Sequence, residues 1–115
     1  MAIDGAHILV YSRDAEADRS FFRDVLRFPH VDAGGGWLIF RFPPAEVAIH
    51  PGEMNGQELF FMCEDLDGTL ADLTDHGVAW DEIEDQGWGR VSYFRLPGGS
   101  RIGIYQPHHP RATDL

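Results

Sequence analysis

Short apolar runs alternate along this chain with segments of helical periodicity, and the alternation happens twice. His7–Ser12 is apolar and partly β-branched, so it predicts a strand. Asp14 is suited to cap a following helix, because its carboxylate can accept a free backbone N–H of the first turn. Phe21, Phe22, Val25 and Leu26 recur at helical spacing as one apolar stripe, and Pro29 stops the helix. The run Gly34-Gly35-Gly36 lacks a GK[ST] ending and leads into a strand, so it reads as a turn and not a phosphate loop. Trp37–Phe42 predicts a strand, Pro43-Pro44 a turn and Glu46–His50 another strand. Pro51–Gly56 has linker composition.

The order then restarts. Glu58–Cys63 predicts a strand, and Asp65 or Asp67 caps a helix striped by Leu66, Leu70 and Leu73. Gly77 ends it as a left-handed C′ residue, with His76 a capping cation. Val78–Ile83 predicts a strand, Asp85-Gln86-Gly87 a loop, and Arg90–Leu96 a strand. Pro97-Gly98-Gly99-Ser100 is a tight turn before the last strand, Arg101–Gln106. The tail with His108 and His109 carries no assigned role and is expected to be poorly ordered. Residues repeat along with the elements: Phe40-Arg41-Phe42-Pro43 matches Phe94-Arg95-Leu96-Pro97, and His7 falls opposite Glu58. The chain therefore reads as one α+β domain over residues 1–115, built from two tandem units of about 3–51 and 57–107.

Composition narrows the function. At 115 residues there is room for one core. The formal charge of −10 disfavours nucleic acid and anionic membrane as partners. No apolar run approaches the ~18 residues of a membrane span, and no secretion signal is apparent, so a cytoplasmic protein is expected. The lone Cys63 leaves no disulfide and no cysteine metal cluster; strand parity makes it a buried structural thiol.

Two segments carry a family likeness. The first is Ala6-His7-Ile8-Leu9-Val10 with Phe21-Phe22. The second is the closing hairpin Phe94-Arg95-Leu96-Pro97-Gly98-Gly99-Ser100-Arg101-Ile102-Gly103-Ile104. In this order and spacing they resemble the vicinal oxygen chelate superfamily, which includes glyoxalase I, extradiol dioxygenases and the bleomycin and fosfomycin resistance proteins. The resemblance implies two βαβββ units whose curved sheets enclose a cavity, with helices outside, and it implies a symmetric homodimer. Strand parity then turns His7, Leu9 and Tyr11 inward, with Glu58, Phe60 and Met62 from the repeat.

Enzymes of the superfamily hold one divalent metal in the cavity. Carried over by position, the ligands fall on His7, on Glu46 (or His50 in another register), on Glu58, and last on Gly103, which has no side chain. The expectation is therefore a protein without an intact catalytic metal site and with no required cofactor. Its cavity would hold a small aromatic or amphipathic molecule, as the drug-sequestering members do, against His7, Tyr11, Trp37, Glu46, His50, Glu58, Phe60, Trp88 and Tyr105. Trp88, between Gly87 and Gly89, suggests a loop that packs on a ligand or a partner. The alternative is a lyase, isomerase or ring-cleaving dioxygenase using Fe, Mn, Ni or Zn at His7, Glu46 and Glu58.

Overall fold

The computed structural model describes residues 7–51, 53 and 55–115. Helix α1 spans Ala15–Asp24, and the Asp14 carboxylate accepts the Ala17 N–H at 3.0 Å. Acidic Glu16 and Asp18 lie in its first turn, at the positive end of its dipole. The helix ends well before Pro29, because Arg27 reverses the chain with φ 59°. Strands β1 (His30–Asp32) and β2 (Leu38–Phe40) follow as an antiparallel pair. The glycine run turns the chain between them: all three glycines have positive φ, and Asp32 accepts the N–H groups of Gly34 and Gly36.

The second unit is complete. Strand β3 (Phe60–Met62) leads to helix α2 (Leu66–Asp75), then β4 (Glu84–Gln86), β5 (Gly89–Arg95) and β6 (Arg101–Pro107). Asp65 is the cap of α2 and accepts the Gly68 N–H, while Gly77, at φ 76°, provides the left-handed exit. The sheet runs β3-β6-β5-β4, with β3 parallel to β6 and the other pairs antiparallel. Its outer face meets both helices. Leu66, Leu70 and Leu73 from α2 and Phe21 and Phe22 from α1 are buried with Phe94, Leu96, Ile102 and Ile104. Leu59, Phe61 and Cys63 pack on that side, as strand parity predicts. Phe22 gathers Phe28, Phe40, Phe42 and Phe61 within 6.4 Å, which ties the β1–β2 hairpin to the main sheet.

The first unit is not complete. His7–Ser12 and Glu46–His50, both expected as strands, form none, and their apolar side chains stand in solvent: Tyr11 is 86% exposed, Val47 85% and Ile49 89%. The turn chemistry separates the two units. In the second, Gly99 takes φ 101°, its N–H reaches Leu96 O, and the Leu96 N–H reaches Ser100 O, which closes a tight hairpin. At the place of Gly99 the first unit has Ala45, for which positive φ is costly, and at the place of Gly98 it has Pro44, which has no N–H to give to a partner such as Asp18. The chain after β2 does not pair back with it. The expected strand Val78–Ile83 is likewise reduced to one bridge, Trp80 to Phe94, and pairing resumes in β4, through Asp85-Gln86, where a loop is expected. One further contact joins the units. Buried Asp18 of α1 accepts the Gly98 N–H at 2.7 Å, while its Oδ2 has no partner among the described residues.

Candidate functional site

The inner face of the sheet is aromatic. Register places Phe60, Gly103 and Tyr93 in one row across β3, β6 and β5, and Met62, Tyr105 and Val91 in the next. Phe60 lies 5.7 Å from Tyr93, 5.9 Å from Tyr105 and 6.4 Å from Trp88, ring centre to ring centre. Trp88 approaches Tyr105 edge-on at 5.2 Å. Most of these are edge-to-face contacts, favoured by the ring quadrupoles. Two glycines make the cluster possible. A Cβ at Gly103 would clash with the Phe60 ring, so the bare strand position is filled by an aromatic from the neighbouring strand. A Cβ at Gly89 would sit 2.6 Å from the Gln106 carbonyl oxygen, so glycine lets the β4–β5 turn bring Trp88 down. Arg101 stacks on Tyr93 at 3.5 Å and lies 3.6 Å from Asp81.

The tail folds back over this cluster, against the expectation that it is poorly ordered. The His108 N–H donates to Trp88 O at 2.8 Å, and a short 3₁₀ turn forms at Ala112–Asp114. His109 Nε2 is 3.1 Å from the Tyr105 hydroxyl and 3.8 Å from Glu46 Oε1. Glu46 Oε2 accepts the Ala112 N–H at 2.7 Å. A glutamate from the first unit thus meets a tyrosine and a histidine from the end of the chain. Burial first, and then the Glu46 charge, push the Tyr105 phenol above its ordinary ionisation range, so it keeps its proton. The sequence offers no local signal for His109, because its partners are 4 and 63 residues away.

The expected site residues divide. Phe60, Trp88, Tyr105 and Glu46 come together around the inner face. Trp37 does not: it is 62% exposed and lies beneath Arg19 of α1, whose guanidinium is 4.5 Å from its ring centre. His7, Tyr11, His50 and Glu58 are exposed and outside any strand. Gln106 points to the helix side, where its Oε1 accepts the Leu66 N–H at 3.1 Å. Two clefts, of about 520 and 460 Å³, are lined around Phe42-Pro43-Pro44 and around His76–Asp81, not by the expected site residues.

The described residues do not fit a divalent metal within one chain. Among the described residues no three His, Cys, Asp or Glu side chains group as ligands. At Gly103, where the family's last carboxylate stands, the space belongs to Phe60. The Cys63 thiol, half-buried and 3.6 Å from Tyr105 O, is pushed up by burial and is a poor nucleophile.

No protein-family model and no curated protein matches the sequence. Solved structures do. The antibiotic binding protein TnmS3 from Streptomyces sp. CB03234 is similar at 26% identity and a TM-score of 0.63, over 93% of this chain and 98% of that one. A glyoxalase/bleomycin resistance protein from the same Streptomyces is similar at 25% identity and a TM-score of 0.54, over 84% and 95%. A lactoylglutathione lyase from Agrobacterium tumefaciens shares the fold at 18% identity and a TM-score of 0.62, over 84% and 88%.

Proposed function

We propose that this chain, whose fold is that of the glyoxalase and bleomycin resistance proteins of the vicinal oxygen chelate superfamily, binds a small planar aromatic molecule without catalytic metal. One observation carries the reading. The inner face presents Phe60, Trp88, Tyr93 and Tyr105 as partly exposed rings, and Phe60 fills the space over Gly103 where a metal-binding carboxylate would stand. Aromatic walls with a few converging polar groups are the usual form of a small-molecule site. The likeness to an antibiotic binding protein supports the same reading. The charge of −10 favours neutral or cationic ligands. Catalysis of the lyase or dioxygenase kind would need a donor set that His7, Glu46 and Glu58 do not form within one chain.

Acridine, neutral and planar, is a suitable first probe. It should bind saturably and quench tryptophan fluorescence, and Trp88→Ala should weaken binding by ~1–3 kcal/mol if Trp88 is an anchor. No saturable binding, or binding untouched by Trp88→Ala, overturns the reading. So does one tightly held metal per purified chain that disappears in His7→Ala.

The working form in this proposal is a homodimer. A compact monomer of 12.9 kDa exposes about 6,300 Å². This chain exposes 8851 Å². Its radius of gyration, 15.1 Å, compares with about 13 Å for a compact chain of this length. The excess surface includes apolar Ile8, Leu9, Val10, Val47 and Ile49, in segments of strand-forming sequence that lack a partner. A second copy pairing with those segments accounts for it. A monomer mass at micromolar concentration in light scattering counts against this. No helix among the described residues is long and apolar enough to cross a membrane, and one free cysteine suits a reducing cytoplasm.

A further inference from the structure

The hydrogen bonds around His109 fix which way Tyr105 can bond. His109 Nδ1 is 2.7 Å from the Pro110 carbonyl oxygen. A carbonyl only accepts, so Nδ1 carries the proton. In the neutral imidazole Nε2 is then bare, and it accepts. The group 3.1 Å from it is the Tyr105 hydroxyl, whose single proton must point there. What remains on the phenolic oxygen, on the face shared with Phe60 and Trp88, is lone pairs alone. Glu46 lies beside the pair: its Oε1 is 3.8 Å from His109 Nε2, and its other oxygen accepts the Ala112 N–H. The pair sits at the aromatic cluster, with Trp88 at 5.2 Å from Tyr105 and the His109 ring at 5.9 Å.

We propose that Tyr105 serves as a hydrogen-bond acceptor toward the ligand, with His109 the positioning residue that sets this polarity. The site therefore selects planar aromatic molecules bearing a hydroxyl or N–H at the ring edge over the same ring ending in an ether. This rests on the reading of the inner face as a small-molecule site. It adds to that reading the chemical group the ligand must carry and a role for the tail. A phenol with a free proton would lose this discrimination, donating to ethers and carbonyls as readily as it bonds hydroxyls.

Two probes isolate the group: 2-naphthol, which donates, and 2-methoxynaphthalene, which can only accept. Both are titrated into the full chain by calorimetry, and the ratio of the two dissociation constants is read within each variant, so that a general loss of stability cancels. The wild-type chain should prefer 2-naphthol by about two- to tenfold, the range one neutral hydrogen bond supplies. Tyr105→Phe, which keeps the ring and removes the acceptor, should bring the ratio close to one. His109→Ala releases the Tyr105 proton, so the methyl ether should gain and the ratio should narrow, a change that lost packing alone would not produce. Equal binding of the two probes by wild type, or a preference that survives Tyr105→Phe, overturns this inference while leaving the aromatic site standing. Failure of both probes to bind, or binding indifferent to Trp88→Ala, overturns the aromatic site and this inference with it.

Discussion

The two units share an element order and differ in outcome. In the second, the first and last strands lie side by side, β3 parallel to β6, and close the sheet over α2. In the first, the equivalents of those strands, His7–Ser12 and Glu46–His50, have the same apolar character and no ladder at all. Apolar sequence is thus sufficient for strand propensity and insufficient for a strand. A parallel pair brings together residues some forty positions apart, and it needs a turn that returns the chain. Gly98-Gly99 returns it, and Pro44-Ala45 does not. The unfinished unit then leaves apolar segments unpaired, while the finished one presents an aromatic face.

That contrast can be broken or sharpened by substitution. The largest effect belongs to the finished unit. Leu70→Ala, deep in the shared core, should cost about 2–5 kcal/mol in denaturant unfolding. Removal of an apolar side chain from the unpaired segments 7–12 and 46–50 should cost far less in the folding of one chain. A similar loss for Ile49→Ala at concentrations where the protein is monomeric would mean that the two segments are packed after all.

Next comes Gly103→Ala. Its methyl meets the Phe60 ring, so a loss of about 1–3 kcal/mol and a lower melting temperature are expected. An unchanged melting temperature would mean that the ring is free to move aside and that the aromatic cluster is loose.

Asp18→Ala tests the link between the units. It leaves the Gly98 N–H without its acceptor and should cost ~1–3 kcal/mol. If the contact joins them as described, the loss appears in a single cooperative transition. Two separated transitions would show instead that the units unfold independently.

The double change Val47→Ser with Ile49→Ser should leave the circular dichroism spectrum and the folding of each chain almost unchanged, within about 0.5 kcal/mol. It should raise the dimer dissociation constant in analytical ultracentrifugation. Smallest is the alkaline effect of Tyr105. Its phenol is raised above its ordinary 10.0 in the folded state, so the unfolded chain loses that proton first. The stability this group contributes is present below pH 10 and declines as pH rises through the folded-state value, and Tyr105→Phe should flatten that decline in pH-dependent melting.

What could be read from the sequence follows the same division. Both helices, with Asp14 and Asp65 as caps, are local features and stand where the pattern puts them. Strands β3, β5 and β6 are nearly as legible, since their flanking turns carry the right residues. The strand predicted at Trp37–Phe42 is present as β2, but those at His7–Ser12 and Glu46–His50 rest on side chains alone, and side chains do not supply a pairing partner. Trp88, Phe60 and Tyr105 could be gathered by strand parity and the glycines around the turn. Trp37 could not be separated from them, because only the path of the β1–β2 hairpin turns it toward Arg19. The Glu46, His109 and Tyr105 meeting lay beyond sequence reading, since it depends on where a nine-residue tail comes to rest.

The seating of Phe60 over Gly103 also constrains how this protein could change its chemistry by mutation. A carboxylate at position 103 is a clash in this fold, unless residue 60 has already become small. A small residue at 60 with glycine still at 103 leaves a hollow in the aromatic face. Each single step is therefore costly, and the two together are not the sum of their costs. The path to a carboxylate at position 103 crosses a valley set by one ring and one missing side chain. A double-mutant cycle of Phe60→Ala with Gly103→Glu would measure its depth.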